Sequence, residues 1–105
     1  MSSLAQVAGE KTAYHFDRLF TYSLPERLRE QALPGTRVLV PFGQGSRERV
    51  GVIFALGGEE APGLKEISRV LDREPLLSEE LLNLARWLQG HTYCTLFEAV
   101  KLMIP

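Results

Sequence analysis

Apolar positions change period along the chain, and the change divides it into a strand-rich part and a helical part. Residues 36–40, TRVLV, place Val38 and Val40 on one face and Arg37 and Leu39 on the other, the period of a strand. Residues 49–56, RVGVIFAL, form a second run rich in Val, Ile and Phe. Pro41-Phe42-Gly43-Gln44-Gly45 interrupts between them, since Pro cannot donate to a ladder and glycines permit unusual backbone angles. With the turn dipeptide Pro34-Gly35 in front, residues 34–56 predict a β-hairpin with a wide glycine-rich tip. The other strands are expected to pack around this hairpin, and its tip to carry part of the function.

The flanking stretches follow from the same reading. Residues 4–8, LAQVA, predict a first strand, broken at 9–11, with 12–16 a candidate for its resumption. Residues 19–24, LFTYSL, alternate, with Phe20, Tyr22 and Leu24 on one apolar face, so a half-buried strand is predicted and Pro25 ends it. Residues 26–33 read as a charged connector with one helical turn and Leu28 inward. Residues 57–63, GGEEAPG, are a surface loop. Residues 64–71, LKEISRVL, fit a strand by β-branched content and length, or a short helix by the spacing of Ile67, Val70 and Leu71. A strand is taken, with a turn at 72–75.

From Ser78 the spacing becomes helical. Ser78 is an N-cap, and Glu79 and Glu80 suit the positive end of a helix dipole. Leu81, Leu82, Leu84, Ala85 and Leu88 then line one helix, with Trp87 on its flank and Gly90 as its stop. Thr95-Leu96-Phe97-Glu98 is a capping box that opens a second helix through Leu102. Trp87, Tyr93 and Phe97 are expected in the core. The apolar tail 103–105 is expected to lead into a linker. Strands first and helices last argue an α+β fold: a small antiparallel β-barrel-like core of about five strands, then two C-terminal helices.

Composition narrows the class. The 105 residues suit one domain, 1–105, at 45% hydrophobic and 24% charged content. No apolar run approaches the ~20 residues that span a bilayer, and the N-terminus lacks the basic and apolar blocks of a signal peptide. Cys94 is the one cysteine, so no internal disulfide forms and a cytoplasmic location is expected. Twelve basic against thirteen acidic residues give a net charge of -1. A near-neutral domain is poorly suited to wrapping a long duplex, whose affinity comes from many neutralised phosphates. One or two nucleotides in a pocket remain within its means.

Catalytic and cofactor motifs are sparse. GxxxxGK[ST] does not occur, and Gly43 with Gly45 makes a lone GxG without the helix that a dinucleotide site needs. Cys94 and His91 lie three apart with no third group to orient them, and a lone Cys is most often a buried, inert side chain. His15, His91 and Cys94 do not supply the three or four ligands of a metal site. Neither a metal, a cofactor nor a small-molecule substrate is expected, and the carboxylates read as a solvated face. Phe20 and Tyr22, on one strand face, are ordinary core candidates, and Phe42 sits at the hairpin tip. Aromatics on a small barrel also stack on the bases of single-stranded nucleic acid.

The ordered set of motifs resembles a known family. Asp17-Arg18-Leu19-Phe20-Thr21-Tyr22-Ser23-Leu24-Pro25-Glu26 is similar to LDRxFDYxLPE, and Pro34-Gly35-Thr36-Arg37-Val38-Leu39-Val40-Pro41-Phe42-Gly43 to PGxRVxVPFG. Arg49-Val50-Gly51-Val52-Ile53, Leu64-Lys65, the run 70–78 (VLDREPLLS), Leu84-Ala85-Arg86-Trp87, Tyr93 and Pro105 follow in order. From about residue 15 onward the chain resembles the N-terminal domain of the PriA family of replication-restart helicases. That resemblance implies an oligonucleotide-binding-like (OB-like) β fold that holds the 3′ end of a DNA strand, such as a nascent leading strand at a stalled fork. It implies no catalysis in this domain, a parent helicase of which it is a fragment, and primosome proteins as partners through that parent. It also implies a 3′-terminal pocket of Phe20, Thr21, Gly43 and Lys65. There an aromatic supports a base, a glycine admits close backbone approach and a lysine meets a phosphate. The family has Asp where this chain has Thr21, so the hydrogen bond to a 3′-hydroxyl should be weaker unless another acid, such as Asp17, takes the part. The rival reading is a protein-interaction module that docks a partner on its hairpin, and an enzyme ranks third.

Overall fold

The computed structural model describes residues 3–9, 19–42, 47–91 and 95–104. Its strands are β1 (Leu4–Gly9), β2 (Phe20–Ser23), β3 (Arg37–Pro41), β4 (Glu48–Leu56) and β5 (Arg69–Val70), and its helices α1 (Glu79–His91) and α2 (Leu96–Met103). A 3₁₀ turn, Glu26–Leu28, follows β2 and buries Leu28. The five strands form one antiparallel sheet in the order β2-β1-β4-β3-β5. The predicted hairpin is present as β3 and β4, which pair from Arg37↔Val52 to Pro41↔Glu48. Its tip, 43–46, lies outside the described residues, as do the stretch 12–16, Cys94, Tyr93 and Pro105.

Both faces of the sheet are covered, and the residue runs show why. Ala5, Val7, Tyr22, Val38, Val40 and Ile53 point into one core with Leu24, Leu28, Ala32 and Ile67. Ala8, Val52 and Phe54 point the other way, against Leu77, Leu82, Ala85, Leu96, Ala99 and Val100. β4 serves both cores, so Val52, Ile53 and Phe54 are consecutive and all buried, the unalternated pattern of a strand covered on two sides.

The sheet is not closed into a barrel, which corrects the barrel-like expectation. β5 is only two residues long, and the far edges meet at one parallel bridge, Ser23↔Glu66, rather than along a ladder. The sheet nonetheless curls enough for Tyr22 Oη to donate to the Pro41 carbonyl at 3.0 Å, although β2 and β3 are not neighbours. The stretch 64–71 is thus extended rather than helical, with a ladder only at Arg69–Val70.

Both helices form, with two corrections. α2 opens on the capping box: the Glu98 N–H donates to Thr95 Oγ1 and the Thr95 N–H to Glu98 Oε1. Ser78 Oγ accepts the Leu81 N–H at 3.2 Å at the start of α1. Gly90 does not stop α1, which runs on to His91. Leu84 and Trp87 are not core residues, being 44% and 54% exposed. The buried stripe is Leu82 and Ala85, with Leu81 and Leu88 partly covered, and this places Leu84 and Trp87 outside it. Trp87 instead stacks on His91 at 4.1 Å between ring centroids. Phe97 does pack on the second core.

Two further contacts tie the segment 72–77 to the hairpin. Asp72 accepts the Arg37 backbone N–H at 2.7 Å and two side-chain nitrogens of Arg37, the shorter contact being 2.8 Å. Gly35, at φ +94°, donates its N–H to the Ile53 carbonyl and accepts the Leu76 N–H. A Cβ on Gly35 would overlap the Leu77 carbonyl oxygen.

These contacts give three expectations. Gly35→Ala should cost at least ~3 kcal/mol in urea unfolding, combining a left-handed backbone with a steric clash. Gly90→Ala should instead stabilise by ~0.5–1 kcal/mol, because Gly90 sits in a helix and its Cβ would meet nothing within 4 Å. The third concerns acid. Burial alone would raise the Asp72 carboxyl, but its hydrogen bonds to Arg37 outweigh burial and hold it below the usual carboxylate range. A depressed native value stabilises the fold above the ordinary carboxylate value and is lost as pH falls through the native one. The melting temperature should therefore drop on acidification below about pH 4, and Asp72→Asn should lack that component of the drop.

Candidate nucleic-acid interface

β2 is an edge strand, and its backbone alternation decides what it offers. Ser23 donates its N–H to the Lys65 carbonyl at 2.8 Å and accepts the Ile67 N–H at 3.0 Å, so its polar groups point away from β1. In an antiparallel pair, residues two apart point the same way. Thr21, paired with Gln6 of β1, therefore turns its own N–H and carbonyl toward that outer edge. No described residue pairs with them. The bridge at Ser23 sets Lys65 directly beside this open stretch of main chain.

Phe20 and Thr21 are consecutive on the strand and take opposite faces. Phe20 packs partly buried against the first core and meets Phe42 edge to face, 5.8 Å between centroids and 87° between planes. The Arg49 guanidinium lies 3.9 Å over the Phe42 ring. Tyr22, between Thr21 and Ser23, faces the core, and its burial raises the phenol further above its ordinary value, with Arg49 opposing. It acts as a neutral strut to Pro41.

On the other face, Thr21 Oγ1 donates to Gln6 Oε1 at 3.0 Å, and Gln6 Nε2 donates to the Gly57 carbonyl at 2.8 Å. The chain of bonds fixes every role. A carbonyl only accepts, so the Gln6 NH₂ must face Gly57, and its oxygen faces Thr21. The Thr21 hydroxyl proton is then committed, and its lone pairs stay available to accept from a ligand.

Lys65 belongs to an open cleft of about 600 Å³, lined also by Arg27, Pro41, Glu66 and Ser68. Three of the four residues expected to form the pocket, Phe20, Thr21 and Lys65, are among the described residues. Phe20 meets Phe42 toward the hairpin end, Thr21 bonds Gln6 and Lys65 lines the cleft, with the outer edge of β2 between them. Gly43, next to Phe42, lies outside the described residues, and so do Asp17 and His15. Among the described residues no three His, Cys, Asp or Glu side chains are grouped to hold a metal, and no helix is long and apolar enough to cross a membrane. Sequence reasoning passed over Gln6 and Arg27. Gln6 had a visible signal, as the polar residue in the apolar run LAQVA.

Comparison with known proteins identifies the family. Residues 10–105 match the family model of the PriA 3′ DNA-binding domain. A replication restart protein PriA of Bacillus subtilis (strain 168) is 34% identical over 108 residues, covering 98% of this chain and 13% of the relative. A replication restart protein PriA of Treponema pallidum (strain Nichols) is 34% identical over 96 residues, covering 85% of this chain and 14% of the relative. The chain spans about one-seventh of the length of these curated relatives. With the family model matching all but its first nine residues, the chain belongs to the PriA 3′ DNA-binding domain family, whose part in replication restart is to recognise the 3′ end of DNA at a fork.

Proposed function

We propose that the domain seats the terminal nucleotide of a DNA strand, such as a nascent leading strand at a stalled fork, along the open edge of β2. The observation that carries this reading is the main chain of Thr21, which no described residue pairs on its outer side, set between Phe20 and Lys65. An N–H and a carbonyl on a strand edge bond a base without demanding one identity. Lys65 meets the phosphate on the 5′ side of that nucleotide. Thr21 Oγ1, whose own proton goes to Gln6, accepts the 3′-hydroxyl proton. Phe20 and Phe42, with Gly43 following, bound the site at the hairpin end.

On this reading the domain binds and does no chemistry. It acts in the cytoplasm as the fork-recognition part of a longer ATP-dependent helicase, and primosome proteins meet it through that parent. The end is distinguished by a proton: a 3′-hydroxyl donates to Thr21, whereas a 3′-phosphate has no such donor and adds charge.

Thr21→Val keeps the β-branched shape and removes the acceptor. It should weaken binding to a 3′-hydroxyl strand by ~0.5–1.5 kcal/mol, the net worth of a neutral hydrogen bond. Binding to a 3′-phosphate strand should stay as it was, and Thr21→Ser should resemble the wild type. Paired titrations at one salt concentration measure the ratio, with melting curves to register the Gln6 bond that Val loses. A hydroxyl-to-phosphate ratio unchanged in Thr21→Val would take Thr21 out of the site.

A further inference from the structure

We propose that Arg27 forms a second phosphate subsite, holding the linkage one nucleotide further from the 3′ end than the linkage that Lys65 contacts. This rests on the end-binding reading above and extends it from one nucleotide to two. Arg27 and Lys65 line the same open cleft of about 600 Å³, with Glu66 as its one acidic lining residue. Two cations against one carboxylate leave the lining locally positive in a chain whose net charge is -1.

The position of the cleft gives it a direction. Pro41 lines it and also accepts the Tyr22 hydroxyl bond, and Phe42 follows directly in sequence. The cleft therefore adjoins the aromatic end of the site and runs from Lys65 to the turn Glu26–Leu28, where Arg27 stands. A strand whose terminus lies at β2 has this cleft to pass through. The volume exceeds what one phosphate fills and lies within the usual range for small-ligand sites.

Arg27 is exposed, and no described residue forms an ion pair or hydrogen bond with it. Its neighbour Arg29 differs, since its Nε faces the Leu24 carbonyl at 3.4 Å. A guanidinium presents its donors in a planar fork that matches two phosphate oxygens at once. Ser68, on the same wall, adds a hydroxyl.

The test couples the arginine to one linkage. Labelled thymidine oligonucleotides with a free 3′-hydroxyl are titrated by anisotropy in three forms: all phosphate, the last linkage replaced by neutral methylphosphonate, or the second-to-last so replaced. Arg27→Ala should weaken the all-phosphate strand about fivefold, as for a solvent-exposed charge contact, and lower the log-log salt slope by ~0.7. It should cause no further loss when the second-to-last linkage is already neutral, and its full loss when only the last is neutral. Lys65→Ala should show the opposite pairing. Melting curves confirm that the exposed substitution leaves the fold intact. A wild type that holds 3′-hydroxyl and 3′-phosphate strands equally would overturn the end-binding reading and the subsite with it. A wild type that keeps its preference while Arg27→Ala binds as tightly, or loses the same factor on all three strands, would overturn the subsite alone.

Discussion

Two main-chain hydrogen bonds, from Ser23 to Lys65 and from Ile67 to Ser23, hold the functional side of this domain together. They fasten the extended stretch before β5 to the outer edge of β2, across the mouth of a sheet whose ladder never closes. Ile67 is thereby driven fully into the first core, while Lys65 is left facing out beside Thr21. The bridge consumes the polar groups of one residue and stops. That stop leaves the main chain of Thr21 without a partner among the described residues, since a second bridge would have covered this edge. Closure into a barrel and an open strand edge are physically exclusive at this position.

The curl that brings the edges so close has its own causes. The Tyr22 strut to Pro41 spans the first core, and buried Ile53 and Val40 fill the space beneath it. From the opposite side, α1 and α2 press on Ala8, Val52 and Phe54. Gly35 and Asp72 then bind the connection from β5 to α1 onto the start of the hairpin. The two cores meet there, because Gly35 bonds Ile53 of the first core and leaves no room for a Cβ against the Leu77 carbonyl of the second.

Much of this is legible in the chain, because short-range rules govern it. The hairpin follows from Val38 and Val40 alternating before a proline and glycines, and α2 from a capping box that needs only four residues. Trp87 misleads, since a large aromatic on a helix reads as core until the helix phase is fixed by Leu82 and Ala85, whose burial is a tertiary fact. Gly90 misleads similarly: a glycine ends a helix by adopting a left-handed angle, and this one does not. The candidate site divides along the same line. Phe20 and Lys65 stand out by family motif, but the partners that define their roles lie far away in sequence. Gln6 is fifteen residues from Thr21, and Arg27 meets Lys65 only across the fold.

The charge balance points to the same kind of binding from a different side. A protein that follows a phosphate backbone gains affinity with each neutralised charge, and its surface is correspondingly basic. A chain with thirteen acids and twelve bases has no net positive charge to supply that gain. Near-neutral charge suits selectivity for a feature that occurs once per strand, and a terminus is such a feature. On the binding mode proposed above, one hydroxyl, one strand edge and a locally positive cleft meet that requirement without a general attraction to DNA. Near-neutrality then serves the function, because a domain that did not slide onto every duplex would remain available for the rare end it is built to hold.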